Sequence, residues 1–405
     1  MGSILAPLGK VGAYVNSLNK EYFTHSYEEL KELGFVRRVR LYNWSFELCA
    51  LLVCAVVYAF YKVGLFINSR RADRLFTEVN DYLKNNEQFA RVGFAHKDGS
   101  KLQYLDERQK TWFTTFATGR SAIESVCMRM HMYGRSNPVA MLVERLLYNF
   151  FPSLVIRDIE EYCEIVVRPN GIYVANEAAK PNTNITEVLN NFKFVTSIVN
   201  KSSMNEVRHD NYYLSLTRTS ESSKLPLEYV YMSEMNQLND FISFYCPNFT
   251  NILQKASGIL QCISFTDLPA DKPLTDKVWN SNLQPRAVIR TSIPTSDSDI
   301  QALEQVISLV IAVYDNFTKD VVQGNPNTFV THDLLKKTSL LRSQELAKIV
   351  KTMKQVEREM AIEKKQEAEK EKRRLLKHSG EQEKSDQKKK DRRERRAKNK
   401  QKVRM

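Results

Sequence analysis

The longest apolar stretch of the chain runs from Leu48 to Ile67 and holds one charged residue, Lys62, in 20 positions. A helix of that length spans about 30 Å, the thickness of a bilayer core. Its eleven Leu, Val, Ile and Phe residues favour membrane insertion by about 3–7 kcal/mol. The alternative, a buried core helix, fits less well because the stretch has no polar face. The pattern therefore predicts a single transmembrane helix over 45–68, preceded by a short segment, 1–44.

Residues 69–330 show the mixed periodicity of an α+β domain with an antiparallel sheet, since strands and helices do not alternate regularly. Asn137 and Pro138 are suited to cap and begin a helix, and Pro169-Asn170-Gly171 is typical of a hairpin turn. Helices are predicted over 72–83, 108–132, 138–147, 187–200, 234–245 and 297–322, and strands over 162–168, 172–175, 212–219, 259–265 and 286–293.

A narrow apolar stripe at helical spacing marks the C-terminal part of the chain, with charged residues on the other faces. It predicts an amphipathic, charged and coiled-coil-like helix over 331–378 that packs on a partner helix, since apolar side chains on a stripe lose burial if left in water. The alternative is a solvated charged helix without a partner. The predicted partner-helix residues are Leu346, Ile349, Val350, Met353, Val356 and Met360.

The net positive charge of the chain lies at its C-terminal end. Residues 336–405 hold 26 Lys or Arg and 12 Asp or Glu, a net charge of +14, whereas the whole chain has +13. Such a run repels itself and attracts a polyanion, and we predict a basic tail over 379–405. The predicted RNA contacts are Lys388, Lys389, Lys390, Arg392, Arg393, Arg395, Arg396, Lys398, Lys400, Lys402 and Arg404.

Three interpretations of this tail are possible. A nuclear localisation signal suits the composition but not a membrane-anchored chain. Anionic lipid suits the charge, yet the run lacks apolar anchors and lies more than 300 residues beyond the predicted span. RNA phosphate remains, because a Lys/Arg-rich segment recognises shape and charge rather than sequence.

Catalytic and metal-binding patterns are absent from the sequence. The six His residues do not pair with each other or with Cys at zinc-ligand spacing, and there is no GxGxxG, P-loop or GxSxG motif. We therefore expect no catalytic residue, metal, cofactor or small-molecule substrate, and a binding or scaffolding protein rather than an enzyme.

Membrane orientation is poorly specified by charge, because three Arg residues flank each side of the span (37, 38 and 40; 70, 71 and 74). The six Cys residues are scattered and contain no CxxC pair, which favours a reducing compartment for the large C-terminal part. We expect residues 1–44 to be lumenal and the remainder beyond the span to be cytosolic. Glycosylation at Asn184, Asn200, Asn248 or Asn316 would overturn that orientation.

The order of these parts resembles the calumin family, the coiled-coil-domain subunit of the PAT complex of the endoplasmic reticulum. The similarity covers about residues 42–405. The helix 70–83 is one part of this order. The more specific pieces are the segment Leu227–Asn236 with Ser233-Glu234-Met235, the segment Ile263–Asp267, and the final Lys400–Met405. None of these is a catalytic motif.

The resemblance implies an endoplasmic reticulum membrane protein of the multipass translocon. It would act as an intramembrane chaperone for multipass proteins, with a small Asterix-type membrane partner in the lipid bilayer, beside the Sec translocon. Its basic C-terminal helices would contact the ribosome near the tunnel exit, through Lys388–Arg404 here. An alternative is a membrane tether or scaffold that binds a protein through its C-terminal helix, in calcium homeostasis or degradation. Calcium binding itself is not carried over, because residues 1–44 have only four acidic residues.

Overall fold

The structure is a computed structural model. It describes residues 14, 17–95, 99–150, 160–174, 184–273, 275–378 and 387–395. The helices are α1 (Lys20–Thr24), α2 (Tyr27–Glu32), α3 (Phe35–Leu41), α4 (Ser45–Asn85), α5 (Pro138–Phe150), α6 (Ile185–Asn190), α7 (Met204–Asp210), α8 (Tyr212–Ser215), α9 (Phe241–Tyr245), α10 (Phe249–Lys255), α11 (Asp276–Ser281), α12 (Asp297–Gln323) and α13 (His332–His378), with a 3-10 helix at Asn236–Asp240. Residues 387–395 are also helical.

The strands are β1 (Arg91–Val92), β2 (Phe94–Ala95), β3 (Lys101–Leu102), β4 (Leu105–Glu107), β5 (Trp112–Thr118), β6 (Ile123–His131), β7 (Tyr162–Pro169), β8 (Thr196–Asn200), β9 (Arg218–Ser220), β10 (Tyr229–Ser233), β11 (Leu260–Thr266) and β12 (Arg286–Thr291). Ten of them form one sheet, in the order β1-β5-β6-β7-β12-β11-β8-β10-β9, with β4 also on β5. Every pairing in it is antiparallel, which confirms the predicted antiparallel sheet.

One face of this sheet packs against α12 and the second half of α4, which together form the main core. Ser296 begins α12 as an N-cap that accepts a hydrogen bond from Asp299 N, and Gly324 ends it in the left-handed region at φ 63°. Leu303, Val310 and Phe317 of α12 are fully buried there. The period of three to four residues in its apolar positions is what covers one sheet face.

The opposite face of β8, β10 and β11 is covered by α7, α8, α11 and α13. This second core cluster contains Val207, Tyr213, Trp279 and Ile349, and Leu346 packs against it. The three strands between these layers are buried on both faces, so nearly all of their residues are buried and the burial does not alternate along the strand. The C-terminal helix is thus part of the fold at its beginning.

Several predicted elements are confirmed: the strands β7, β11 and β12, and the helices α5 and α12. The predicted cap of α5 is present, because Ala140 N donates to Asn137 Oδ1 at 3.1 Å. The helix expected over 72–83 is also found, but it is not a separate element. Residues 45–85 form one continuous helix, so the boundary predicted between a span at 45–68 and a domain at 69–330 falls inside α4.

Other predicted elements are wrong. Residues 108–132 form β5 and β6 rather than a helix, since buried and half-buried positions alternate along β5 and Gly119 turns the chain at φ 96°. The helix predicted over 187–200 ends at Asn190, and the β-branched run Thr196–Val199 enters the sheet as β8. Residues 212–215 are helical because Tyr213 and Leu214 are buried consecutively on the sheet. Residues 172–174 form no strand.

Candidate functional site: two helix roots and the arm

Two long helices each lie half inside and half outside the folded domain. In α4 the first half is exposed, and the second half buries one face of the helix, from Ala72 to Leu83. In α13 the order is reversed, because Leu334, Thr338 and Ile349 are buried and residues 354–372 are exposed throughout. Each helix is held in position at the point where it enters the domain, and we call that point the root of the helix.

The outward half of α4 is an apolar rod. Leu51, Val57 and Phe66 are each more than 60% exposed. Among the described residues, α4 is the helix that is long and apolar enough to cross a membrane. Exposure of this apolar surface to water would cost about 25 cal/mol per Å², whereas contact with lipid would not carry that cost.

A neutral polar side chain holds the root of this rod. Asn68 is buried, and its Nδ2 donates to Lys110 O at 2.9 Å and to Tyr133 O at 3.0 Å, while its Oδ1 accepts from Arg135 Nη1 at 2.9 Å. Arg135 also pairs with Glu161 at 2.5 Å. We name Asn68, Arg135 and Glu161 the span hub.

One turn earlier, Gly64 allows the backbone of the 133–136 loop to touch α4. A Cβ at this position would lie 2.2 Å from Arg135 O and 2.6 Å from Ser136 N, far inside any allowed contact. Glycine is therefore required by close approach rather than by its φ angle. The loop is fixed against the last turns of the apolar rod.

The root of α13 lies at an edge of the sheet where two acidic residues meet. Glu234 follows β10 and Asp267 follows β11, and both strands run antiparallel to β8, which lies between them. The carboxyl ends of β10 and β11 therefore emerge on the same side. Both carboxylates are almost fully buried, at 3% and 1% side-chain exposure.

Arg342 of α13 pairs with both carboxylates at once. Its Nε and Nη2 donate to Glu234 at 2.8 and 3.2 Å, and its Nη1 and Nη2 donate to Asp267 at 2.7 and 2.8 Å. Glu234 Oε2 also accepts from Val195 N at 3.0 Å. We name Arg342, Glu234 and Asp267 the arm clamp. Its two bidentate contacts use the planar fork of guanidinium, which an ammonium group does not reproduce.

The electrostatics of the arm clamp favour the charged state of Arg342. Burial acts to lower the pKa of the guanidinium, but Glu234 and Asp267 outweigh burial and raise the pKa above its usual value. Burial raises the pKa of the Glu234 carboxyl, and Arg342 acts against that shift. Removal of the one cation would leave two buried carboxylates without their main partner.

The predicted partner-helix stripe is divided by this root. Leu346 and Ile349 pack against the chain's own second core cluster. Val350 and Met353 are half-buried, and Val356 and Met360 are about half exposed. From residue 354 to 378 the helix continues for about 37 Å beyond the domain at 1.5 Å per residue. We name residues 354–378 the arm.

The predicted RNA contacts are brought together only in part. Lys388, Lys389, Lys390, Arg392, Arg393 and Arg395 lie on the exposed helical segment 387–395, while Arg396, Lys398, Lys400, Lys402 and Arg404 lie outside the described residues. Lys389 Nζ is 3.9 Å from Glu369 Oε1 of the arm, and both side chains are about 60% exposed. This pair places the basic helix beside the arm.

Within the described part of the chain, no group of three or more His, Cys, Asp or Glu side chains is arranged to hold a metal ion. A groove of about 490 Å³ runs between α13 and α8, lined by Tyr212, Arg218, Lys272 and Glu345 among others. This groove adjoins the arm clamp, and we interpret it as the polar gap between helix α13 and the sheet that α13 covers.

The arm clamp and the span hub are buried contacts that sequence reasoning missed. Glu234 and Asp267 fall in two of the segments that carry the family resemblance, but nothing local connects them to Arg342, which is 75 residues or more away. One signal was available: Arg342 lies four residues before Leu346 and so continues the apolar stripe. A charged residue on a buried stripe indicates a buried partner.

Comparisons with known proteins agree with this organisation. The family model for PAT complex subunit CCDC47 matches residues 43–396. The UPF0674 endoplasmic reticulum membrane protein YNR021W of Saccharomyces cerevisiae is 51% identical over 359 residues, 89% of this chain and 88% of the relative. The UPF0674 endoplasmic reticulum membrane protein C2G5.01 of Schizosaccharomyces pombe is 26% identical over 277 residues, 67% of each chain.

Proposed function

The chain belongs to the family of PAT complex subunit CCDC47, and we propose that it works in the endoplasmic reticulum membrane as part of an intramembrane chaperone for multipass membrane proteins. In this proposal α4 anchors the chain beside a small Asterix-type membrane partner and the Sec translocon. The folded domain is cytosolic, and the arm carries the basic segment to the ribosome. No chemical reaction is involved, so the protein is a binding partner rather than an enzyme.

The observation that supports this proposal best is the separation of the arm from the folded domain. The arm clamp fixes α13 at Arg342, and every residue from 354 to 372 is exposed. A helix with such a surface adds nothing to the core of the domain, and residues 388–395, which begin ten residues after its end, hold six Lys or Arg. Ribosomal RNA is a polyanion that such a segment can bind through phosphates without reading sequence.

Ribosome co-sedimentation of the detergent-solubilised full chain tests the RNA contact. Reversal of Lys388, Lys389 and Lys390 to Glu should abolish binding, and binding of the unmodified chain should fall steeply between about 50 and 200 mM salt. The matched control replaces Lys364 and Lys365 of the arm by Ala, which should change binding little. Binding that survives both the reversal and the salt would contradict the RNA contact.

The proposed orientation is supported by the cysteines, because all six are free and none lies in a disulfide. Glycosylation mapping tests it in cells. Asn184 and Asn248 are exposed on the folded domain and should remain unmodified. Modification of either would place the domain in the lumen and remove the ribosome contact from the proposal.

A second candidate function is a membrane tether or scaffold that binds a protein partner through the arm. It is favoured by Val356, Met360 and Ile362, which are each about half exposed on the arm. Replacement of Val356 and Met360 by Glu should then abolish recovery of the partner, while the Lys388–Lys390 reversal should leave recovery unchanged. The two substitutions separate the two functions.

A further inference from the structure

Helix α5 exposes an apolar face that the span and the arm do not explain. Six of its side chains are 46% to 75% exposed: Val139, Leu142, Val143, Leu146, Leu147 and Phe150. Leu, Phe and Val of this size are usually buried in a water-soluble domain, and an exposed contiguous group of them marks an interaction site.

These side chains lie on one side of the helix. At 100° per residue they fall within an arc of about 140°, while Glu144, Arg145 and Asn149 lie outside it. All three polar residues are exposed as well. An apolar arc with charged residues on the other side is typical of a helix that lies along a membrane surface.

The start of α5 is fixed beside the membrane end of α4. The 133–136 loop touches α4 at Gly64, and Asn68 binds the carbonyl of Tyr133. Gly64 lies inside the apolar stretch and Asn68 directly follows it. Pro138 is the third residue after Arg135, so the first residue of α5 lies within about 11 Å of that contact. The helix therefore begins at the level where the span leaves the bilayer.

We propose that α5 lies in the boundary between the lipid headgroups and the acyl chains, on the same side of the membrane as the folded domain, with its apolar arc in lipid. The inference rests on the proposed membrane anchoring of α4. Lipid is the occupant because the apolar arc is held next to a transmembrane span by contacts inside the chain, without any partner. The second contact would restrict the tilt of the domain over the bilayer.

Photo-crosslinking of the full chain in its native membrane tests the placement. The photoreactive amino acid p-benzoylphenylalanine is introduced at position 146, in the middle of the apolar arc, and adducts are identified by mass spectrometry. The matched control places it at position 144, two residues earlier on the polar face. A second control places it at Phe66, in the span. All three positions are exposed, so we expect each variant to keep the fold.

The expected result is lipid adducts at positions 146 and 66, with at least a tenfold lower yield at position 144. Lipid adducts at position 66 alone would overturn the proposal while leaving the anchor intact. Protein adducts at 146, from a second copy or another protein, would also overturn it and would identify the face as a protein interface. Failure at both 66 and 146 would refute the anchor together with this inference.

Discussion

The two long helices of this protein both project from the folded domain, but the outward half of one is apolar and that of the other is charged. Both α4 and α13 have one half in the folded domain and one half outside it, and both are held at the junction by a buried polar side chain. The outward half of α4 is apolar, whereas that of α13 is charged on nearly every exposed face. Burial at the root fixes each helix, and the composition of the outward half selects its surroundings.

The roots differ in the chemistry of the side chain that holds them. Asn68 is neutral and satisfies its amide with two backbone carbonyls and Arg135. Arg342 is charged and needs two buried carboxylates. The side chain that α4 contributes is thus a neutral amide, and the charges of the span hub, Arg135 and Glu161, come from outside the helix. A buried ion cluster such as the arm clamp is costly to break because each remaining charge loses its partner.

Removal of the cation from the arm clamp should have the largest effect on stability. The substitution Arg342→Ala leaves Glu234 and Asp267 buried without their main partner, and we expect it to lower the free energy of unfolding by about 3–5 kcal/mol. Urea unfolding of the detergent-solubilised full chain measures this loss. Arg358→Ala, on the exposed part of the same helix, is the control and should stay within about 0.5 kcal/mol of the parent. A small effect of Arg342→Ala would mean that the rest of α13 holds the arm without the clamp.

The contrast between the outward halves can be tested with one residue change made twice. Val56 and Val356 are 44% and 50% exposed on α4 and on the arm. We expect Val56→Arg to disfavour membrane insertion by about 3–4 kcal/mol, since it places a charge near the middle of the span. Val356→Arg should leave stability and membrane association unchanged, because the arm is solvated. Carbonate extraction of membranes measures insertion. Equal effects of the two substitutions would remove the distinction between the halves.

The span hub should be weaker than the arm clamp. Asn68→Ala leaves two buried carbonyls and one guanidinium hydrogen without their partner, and we expect a loss of about 1–3 kcal/mol in unfolding free energy. Arg70→Ala, two residues later and exposed, is the control. If Asn68→Ala costs as much as Arg342→Ala, then a neutral root is as critical as a charged one, and the comparison of the two roots fails.

Sequence reasoning succeeds where a single local pattern decides the structure. The apolar run Leu48–Ile67 has no polar face, and the stripe that begins at Leu346 has the helical period, so each pattern predicts a helix from local sequence alone. It fails for the 108–132 segment because Thr, Phe and Met at neighbouring positions fit both a helical period and a strand alternation, and tertiary contacts in the sheet decide.

The two roots could not be predicted, since both depend on residues that are distant in sequence. Asn68 contacts residues 42 to 67 positions away, and Arg342 contacts residues 75 and 108 positions away. A lone Asn after an apolar run has the same local appearance as a solvent-exposed residue, and the position of Arg342 on the apolar stripe indicates burial without identifying its partners. Only the antiparallel placement of β10 and β11 on either side of β8 brings Glu234 and Asp267 together.

We expect the smallest effect on stability from removal of the ion pair between the arm and the basic helix. This effect measures whether the basic helix packs on the arm. Lys389 and Glu369 approach to 3.9 Å with both side chains about 60% exposed. Exposed pairs of this kind contribute about 0–1 kcal/mol, because water and salt screen the charges and two long side chains lose freedom. Glu369→Gln should therefore leave urea unfolding unchanged within error, in contrast to a change at the arm clamp. A measurable loss would show that the basic helix packs on the arm as part of the fold. The basic residues would then be partly paired with the arm before a polyanion binds. The outward half of α13 would no longer be fully solvated.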